Sequence, residues 1–396
     1  MLLGTPKRKH VALLVETSLG SGRDILRGIA RYVREHEPWS IYHEPRGLSE
    51  PVPSWLRKWQ GDGIIARIQT KQMAEFLASL KIPIVDVLGV VRVPTIPLVH
   101  VDNVAIAQMA AEHLEERGFM HFGFFGIMGE NWSEMRRDAF GDCAKNFGFD
   151  FHFYELPRSA PSKSSWEEIE DSLAEWIKKL PKPAGVMVCS DQRGHQFLEA
   201  CRRANIAVPD EIAVIGVDDD LPLCEVCNPP LSSVRPGHEI VGYKAAEMLD
   251  LMFHNKQIPD TPILIKPSGI TVRLSSDVLA IEDRKIASAI RIIRESACEG
   301  IRVDDLAKQV GLSRSVLQRK FKAILNRTVH KEIIRAKLKR AQELLTGTNL
   351  SLLDIAERTG FKHQEYLGVV FKSFFGVTPA EYRRLNSTVS DTPSDE

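Results

Sequence analysis

The stretch IAVIGVD, residues 212–218, places six apolar or small residues in a row before an aspartate. An apolar run of this length is typical of a β-strand buried on both faces, as in a parallel sheet. Similar runs precede it, and segments of helix length with one apolar face separate most of them. These runs are residues 11–15, 63–66, 82–85, 98–101, 122–125 and 185–188. The alternation predicts a doubly wound α/β fold, and its length favours two lobes, each with its own parallel sheet, on either side of a cleft.

The pattern changes after Arg273, and from Lys285 to Arg384 helical periodicity replaces the strand-like runs. Residues 284–384 contain 21 Lys and Arg against 10 Asp and Glu, although the whole chain has 52 of each class. A basic segment attached to an acidic body predicts a nucleic-acid-binding module. The predicted division is residues 1–275 for the α/β part, 276–284 for a linker, 285–385 for an all-α domain and 386–396 for a disordered tail.

One sequence pattern occurs twice in the basic segment, 49 residues apart. Leu306-Ala307-x-x-Val310-Gly311-Leu312 returns as Ile355-Ala356-x-x-Thr359-Gly360-Phe361. In such a pattern the small alanine lets two helices cross closely, and the glycine adopts the left-handed conformation of a tight turn. Each copy therefore predicts a helix-turn-helix motif whose second helix enters a DNA major groove. The alternative for this segment is an all-helical dimerisation domain.

The two copies, with the segment FKxxFGxTPxxYR at residues 371–383, resemble the AraC-type DNA-binding domain. The resemblance implies two recognition helices that read double-stranded DNA about one helical turn apart. Val369 stands where a polar residue is common, so it either touches a thymine methyl group or packs. For Arg319 a phosphate contact competes with base reading. The residues expected to face DNA are Arg314, Ser315, Gln318, Arg319 and Lys322 in the first helix, and His363, Gln364, Glu365 and Val369 in the second.

Acidic residues follow four of the predicted strands, namely Glu16, Asp102, Asp191 and Asp218. Ligands of open α/β sheets bind beyond the carboxyl ends of the strands, so these side chains are candidates for a binding site. Carboxylates accept strong hydrogen bonds from hydroxyl groups, which suits a sugar. The alternative for each acid is a helix N-cap, and it is strongest for Asp102.

This half of the chain resembles the LacI-type sensor, which is similar to periplasmic sugar-binding proteins. The resemblance runs from about residue 11 to 273 and includes Ser190-Asp191 and VIGVDD at 214–219. It implies that Arg136 and Asp218 hold an effector in the cleft. Trp132 either stacks on the apolar face of a sugar or packs in a core or hinge. The candidate effector residues are Asp218, Arg136, Asp191, Ser190, Trp132, Glu16 and Asp102.

Several classes of protein are excluded by composition. The sequence has no stretch of 18 apolar residues that could span a membrane, and its start does not follow the order of a secretory signal. Six cysteines do not suggest a disulfide framework, which favours the cytoplasm. Cys224-x-x-Cys227 has the spacing of half a zinc site, but a second pair at suitable spacing is missing. We expect no metal, no cofactor and no catalytic residue.

A LacI-type repressor begins with its own DNA-binding headpiece, whereas here the first strand starts near Val11 and the DNA-binding module follows the sensor. This order is similar to that of the bacterial xylose operon regulators. The resemblance implies D-xylose as effector and activation of xylose catabolic genes by a homodimer that engages RNA polymerase. Sugar in the cleft would change the placement of the paired DNA-binding domains. The alternatives are another pentose, a hexose or a purine as effector, or a sugar-acting enzyme tethered to DNA.

Overall fold

The computed structural model describes residues 8–45, 47, 50–157, 166–278, 283–325, 327–348 and 350–386. The chain forms two compact units, Met1–Ala280 and Ile281–Glu396. Of the predicted linker, residues 279–282 lie outside the described residues. Of the predicted tail, all but Asn386 lie outside them, and Asn386 ends the last helix. Within the described ranges, no helix is long and apolar enough to cross a membrane.

The elements of the first unit alternate between strands and helices. In chain order they are β1 (His10–Leu14), α1 (Gly20–Glu35), β2 (Ser40–His43), β3 (Gly63–Ala66), α2 (Lys71–Ser79), β4 (Ile84–Asp86), β5 (Val99–Val101), α3 (Asn103–Glu115), β6 (His121–Met128), α4 (Asn131–Phe147), β7 (Asp150–Pro157), α5 (Trp166–Lys179), β8 (Ala184–Val188), α6 (Asp191–Arg203), β9 (Ile212–Val217), α7 (Leu221–Val226), β10 (Ser232–Arg235), α8 (His238–Phe253), β11 (Ile263–Ile265) and β12 (Gly269–Thr271).

The first lobe of this unit contains a parallel sheet with the strand order β2-β1-β3-β4. A parallel pair, β11 and β5, adjoins β4 through a bridge between Asp86 and Leu98. Because side chains alternate along a strand, Val11 and Leu13 of β1 pack towards α1 and α8, whereas Ala12 and Leu14 pack towards α2. The sheet is thus covered on both faces, which accounts for its continuous apolar runs.

The second lobe contains a six-stranded sheet with the order β12-β10-β9-β8-β6-β7. All of its strands are parallel except β12, which is antiparallel to β10. Helices α3 and α4 cover one face, and α5 and α6 cover the other. The predicted pair of doubly wound parallel sheets is therefore confirmed, with one antiparallel edge strand added to the second.

Three connections carry the chain between the two lobes: β5 to α3, β10 to α8, and β11 to β12. The lobes are therefore joined by a hinge of three chain segments. Helix α8 returns to the first lobe and packs against α1 with backbones in contact. A Cβ on Gly28 would lie 1.9 Å from the Glu239 carbonyl oxygen, and one on Gly242 would lie 2.0 Å from the Ile25 carbonyl oxygen. Glycine is required at both positions because any side chain would push these helices apart.

The second unit is all-helical within its described residues. Its helices are α9 (Arg284–Ser296), α10 (Val303–Gln309), α11 (Arg314–Leu325), α12 (Val329–Gly347), α13 (Leu352–Arg358), α14 (Gln364–Phe375) and α15 (Pro379–Asn386). Helices α10 and α11 form the first helix-turn-helix, and α13 and α14 form the second. Their turn residues Gly311 and Gly360 have φ angles of 64° and 70°, in the left-handed region that the repeated pattern predicts.

Each helix-turn-helix has a separate apolar core, and α12 contributes to both of them. The N-terminal half of α12 gives Val329 and Ile333 to the first core, and its C-terminal half gives Leu338 and Ala341 to the second. This long helix therefore joins two similar subdomains. Such an arrangement fixes the distance between the two recognition helices, α11 and α14.

Candidate functional site

A cleft of about 400 Å³ lies between the two lobes of the first unit. The carboxyl ends of β3, β8 and β9, together with the starts of α1, α4, α6 and α8, supply most of its wall. Its lining consists of Ser18, Leu19, Gly20, Ser21, Arg67, Leu88, His100, Ile127, Glu130, Trp132, Arg136, Ser190, Asp191, Gln192, Arg193, Asp218, Asp220, Leu223 and His238. Five of the seven predicted effector residues are among them: Asp218, Arg136, Asp191, Ser190 and Trp132.

Arg136 on α4 is buried against the cleft, with 4% of its surface exposed. Its Nε donates to Asn103 Oδ1 at 2.9 Å, and its Nη1 donates to the Cys189 carbonyl oxygen at 2.5 Å. The guanidinium carbon lies 5.2 Å from the centre of the Trp132 ring, within range of a cation–π interaction. Burial lowers the pKa of Arg136, while the carboxyl groups of Asp218 and Asp191 act in the opposite direction.

Asp191 begins α6 and is buried. Its Oδ1 accepts from Ser233 Oγ at 2.7 Å, and its Oδ2 accepts from the Asp220 backbone N–H at 2.8 Å. Burial, with the nearby Asp218, raises the pKa of Asp191 well above its ordinary value. Asp191 thus anchors the loop that follows β9. Its neighbour Ser190 accepts from the Arg193 backbone N–H and caps the same helix.

Asp218 follows β9 and has a φ angle of 113°, a strained conformation for any residue other than glycine. Its Oδ1 accepts from His238 Nε2 at 3.1 Å, which joins the second lobe to the start of α8 in the first. Strain of this kind concentrates at functional sites, where the surrounding structure holds the residue in place. The backbone therefore orients the Asp218 carboxyl at the cleft.

Two of the predicted effector residues do not line the cleft. Glu16 is buried and forms an ion pair with Arg67, so the cleft is lined by the guanidinium and not by the acid that neutralises it. Asp102 is the N-cap of α3 and accepts from the Ala105 backbone N–H at 2.9 Å. Carboxylates at strand ends therefore have different roles in this protein: some line the cleft, one forms an ion pair and one caps a helix.

Polar contacts connect the two lobes across the cleft. Asp220 Oδ2 accepts from the Gly20 backbone N–H at 3.1 Å and lies 3.4 Å from Arg23 Nη2. Glu130 Oε2 accepts from Gln69 Nε2 at 3.3 Å. These contacts join loops of the second lobe to the first, and they would have to break for the lobes to separate.

Sequence reasoning missed several residues of the cleft wall, among them Arg67, His100, Glu130, Asp220 and His238. Arg67 directly follows β3, so the strand-end rule applied to basic residues as well as acids would have found it. His100 lies inside β5 and His238 opens α8 after a crossing between lobes. The sequence around each of these two histidines contains no pattern that would place it at the cleft.

In the second unit, the predicted DNA-facing residues lie on α11 and on the first half of α14, including its N-cap His363. Arg314, Ser315, Gln318, Arg319 and Lys322 are exposed, as are His363, Glu365 and Val369, while Gln364 is half-buried. Arg314 forms an exposed ion pair with Asp304 at 2.9 Å. Val369 is 69% exposed, so it does not pack into the core. Opposite these residues, Leu317 and Phe321 of α11 and Leu367 and Phe371 of α14 are buried.

Cys224 and Cys227 are both buried free thiols. Cys224 Sγ donates to Asp191 Oδ2 at 3.3 Å, and Cys227 Sγ donates to the Leu223 carbonyl oxygen at 3.1 Å. Burial raises the pKa of the Cys227 thiol to about 11. Among the described residues, no group of three or more histidine, cysteine, aspartate or glutamate side chains could hold a metal ion.

Three family models match the chain. One described as the XylR N-terminal domain matches residues 10–104, a periplasmic binding protein-like domain matches residues 111–276, and a helix-turn-helix domain matches residues 306–385. The matched segments cover both lobes of the first unit and both helix-turn-helix motifs of the second.

Relatives match almost the whole length of the chain. The xylose operon regulatory protein of Escherichia coli (strain K12) is 32% identical over 393 residues, which cover 97% of this chain and 99% of that protein. The protein of the same name from Haemophilus influenzae is 32% identical over 387 residues, or 96% and 99% of the two chains.

A solved structure described as the xylose-binding transcription activator XylR is 31% identical and superposes with a TM-score of 0.83 over 96% of this chain and 99% of that one. These relatives are regulators of transcription, so the alternative of a tethered enzyme is set aside. The predicted combination of a LacI-like sensor with an AraC-type DNA-binding domain is confirmed, as is a sugar-responsive regulator. The chain belongs to the family of xylose operon regulatory proteins.

Proposed function

We propose that this chain binds D-xylose in the interlobe cleft and then activates transcription of xylose catabolic genes. In this proposal it acts in the cytoplasm as a homodimer on double-stranded DNA and engages RNA polymerase. The observation that carries the proposal is similarity over the full length to xylose operon regulatory proteins, at 32% identity, in a chain with a polar interlobe cleft.

The chemistry of the cleft supports a neutral sugar as effector. Arg136 and Arg193 offer donors, while Asp218 and Asp220 offer acceptors. A sugar hydroxyl both donates and accepts, so it can use both kinds of group at once. Trp132 adds an aromatic face beside Arg136, suited to the C–H face of a pyranose ring. A volume of about 400 Å³ is at the small end for ligand sites, which suits a monosaccharide.

The loop of three aspartates after β9 connects the cleft to the end of the first unit, which supports the proposal that effector binding alters that end of the unit. Asp218 faces the cleft, and the next residue, Asp219, accepts from Thr271 Oγ1 at 2.7 Å and pairs with Arg273 Nη2 at 2.8 Å. Thr271 ends β12, and Arg273 precedes the short 3-10 helix Leu274–Ser276, from which the chain continues to the second unit. In the proposal, sugar at Asp218 favours the closed lobes and so fixes this segment.

The exposed faces of α11 and α14 support direct reading of DNA. In the proposal Arg314, Gln318 and Gln364 donate to base edges, and Arg319 and Lys322 contact base or phosphate. Ser315, His363 and Glu365 contribute further polar contacts, and Val369 touches a thymine methyl group. The spacing that α12 imposes lets both helices engage one face of the duplex.

The experiment measures the affinity of the full chain for DNA fragments that it selects from a random pool, with and without D-xylose. The proposal predicts that saturating D-xylose raises the affinity for selected DNA and that Asp218→Asn removes this response. Asp219→Asn should still bind the sugar but respond less. An unchanged DNA affinity, with sugar shown to be bound, would contradict the allosteric part. A response to another pentose, a hexose or a purine in place of D-xylose would correct the effector.

A further inference from the structure

His100 lies in β5 of the first lobe and forms part of the cleft wall. Only 7% of its surface is exposed. Among the residues that the structure describes, its ring makes one hydrogen bond, in which Nδ1 lies 3.2 Å from the carbonyl oxygen of Val87. The neighbouring residues Val99 and Val101 point into the core, so the alternation of the strand turns His100 away from it.

The contact with Val87 fixes the position of the ring proton. A carbonyl oxygen can only accept, so Nδ1 of His100 must carry the hydrogen. Nε2 of the neutral ring is then a bare acceptor. This atom is buried, and no group among the described residues donates to it. Buried polar atoms in folded proteins nearly always have a partner, so an acceptor left over at a cleft wall indicates a ligand that donates.

The charges around the ring keep it in this neutral form. Burial, together with His238, Arg67 and Arg136, lowers the pKa of His100 well below its ordinary value. The ring therefore offers a lone pair, and not a second donor, throughout the physiological range of pH. All three of these neighbours line the same cleft, and two of them, Arg67 and Arg136, can only donate.

His100 differs from the acidic residues of the cleft in that its acceptor atom is not already used within the protein. Asp218 already accepts from His238, and Asp220 accepts from the Gly20 backbone N–H. Both carboxylates therefore already accept a hydrogen bond that joins the two lobes. Nε2 of His100, by contrast, has no hydrogen-bond partner among the described residues.

We propose that His100 Nε2 accepts a hydrogen bond from one hydroxyl group of the effector and thereby makes His100 a specificity-determining residue. The inference rests on the proposed function, because it takes the cleft to be the sugar site. The effector it selects is a polyhydroxylated neutral sugar with a free hydroxyl at this position. An analogue with hydrogen, fluorine or a methoxy group there lacks the donor, and it leaves the buried nitrogen unpaired.

The test titrates the full chain with D-xylose and with its monodeoxy analogues, by calorimetry. Three proteins are compared: the unchanged chain, His100→Leu and His113→Leu. His113 is the matched control, since it is also 7% exposed but does not line the cleft. We expect His100→Leu to weaken D-xylose binding about 10-fold or more, and His113→Leu to change it less than about 2-fold.

The analogues identify the hydroxyl that is read. In the unchanged chain one deoxy sugar should lose affinity by about the same factor as His100→Leu loses for D-xylose. The same deoxy sugar should cause little further loss in His100→Leu, because the contact is already absent. Equal losses for that sugar in both proteins would overturn the proposal.

A spectroscopic readout separates this role from a structural one. In protein labelled with ¹⁵N-histidine, the resonance of the unprotonated His100 Nε2 should move when D-xylose donates to it and should stay when the critical deoxy sugar binds. A resonance that does not move with bound sugar would also overturn the proposal. If D-xylose does not bind the folded chain, the proposed function fails, and the same comparison is made with whichever pentose, hexose or purine binds.

Discussion

The two units of the chain present their functional residues in opposite ways. The cleft of Met1–Ala280 collects side chains from six separated segments, all of them buried except the half-buried Asp218, whereas Ile281–Glu396 presents exposed side chains on two short helices. The six cleft residues in question are Arg67, His100, Arg136, Asp191, Asp218 and His238. A buried polar site is bound up with the stability of its fold, because each group needs a partner. An exposed face can change its contacts without disturbing the core behind it.

This contrast implies that substitutions in the cleft alter both folding and ligand binding, while substitutions on the recognition helices alter binding alone. The largest effect is expected at Arg136. Replacing it by methionine removes a buried guanidinium and leaves Asn103, the Cys189 carbonyl and two nearby carboxyl groups without it. Arg136→Met should destabilise the first unit by about 3–5 kcal/mol, as measured by calorimetric unfolding of the full chain.

The adjacent arginine provides the control for this prediction. Arg137 is partly exposed and pairs with Asp138 and Glu155 at 2.8 Å. Arg137→Met should cost no more than about 1 kcal/mol. Equal costs for the two variants, or an unfolding transition of the second unit that moves with Arg136→Met, would break the distinction between the units.

The stability of the first unit should depend on pH through His113, which contacts Ser276 near the end of that unit. His113 Nε2 lies 2.8 Å from Ser276 Oγ, and burial lowers the pKa of His113 to about 4. The unfolded chain takes up a proton on this residue near pH 6.5, but the folded chain does so only near pH 4. Stability is therefore lost as the pH falls from 6.5 to 4, by about 3 kcal/mol in total from this residue.

His113→Gln should remove this part of the pH dependence. Denaturant unfolding at several pH values between 4 and 8 measures it, as the difference in unfolding free energy between the unchanged chain and the variant. That difference should be constant above pH 7 and should change steadily below pH 6.5 in favour of the variant. A difference that is the same at every pH would refute the assignment to His113.

The two helix-turn-helix copies should differ in how well they tolerate a side chain at the turn glycine. Both turn glycines are left-handed, but a Cβ on Gly360 would lie 2.4 Å from the Cys298 carbonyl oxygen, whereas one on Gly311 meets nothing closer than Lys285 Nζ at 3.7 Å. Gly311→Ala should cost about 1–2 kcal/mol of backbone strain. Gly360→Ala should cost about 1–3 kcal/mol more, because the backbone of another segment must move.

Thermal unfolding of the two variants checks this order. Equal destabilisation would mean that the second turn yields as readily as the first, and the reverse order would contradict the packing at Cys298. Neither substitution should change the affinity of the first unit for its sugar.

The smallest effects on stability are expected on the recognition helices. Arg314 pairs with Asp304 at the exposed surface, so breaking this ion pair to contact DNA should cost close to zero free energy. Arg314→Ala and Gln364→Ala should reduce discrimination between selected and scrambled DNA by about 1–3 kcal/mol each, without a change in unfolding. Lys322→Ala should weaken both complexes equally and lower the salt slope by about one. Equal losses of discrimination for all three would contradict the base-reading roles.

The same contrast explains what could be predicted from the sequence. The helix-turn-helix copies are local patterns, and so spacing alone located Gly311 and Gly360 and the helices that follow them. The central strands were predicted because burial on both faces makes them continuously apolar. The edge strand β2 was missed because Ser40, Ile41 and Tyr42 are exposed and form no such run.

Residue patterns alone predicted the cleft only where strand ends carry a chemical signal, whereas Arg136 and Trp132 on α4 were predicted from the resemblance to the LacI-type sensor. Asp191 and Asp218 follow buried strands and line the cleft, but Glu16 and Asp102 follow strands and do not. Whether such an acid faces a ligand, pairs with an arginine or caps a helix depends on residues far away in sequence. His238 reaches the cleft because the chain crosses between lobes before α8, which no local pattern indicates.

D-xylose sensing by the interlobe cleft is the core of the proposed function. Its most direct test is a calorimetric titration of the folded full-length protein with D-xylose, with L-arabinose and D-glucose titrated in parallel and Asp218→Asn as the variant. We expect saturable binding of D-xylose, no comparable binding of the other two sugars, and loss of binding in the variant. Absence of saturable heat with D-xylose, or equal binding by Asp218→Asn, would contradict it.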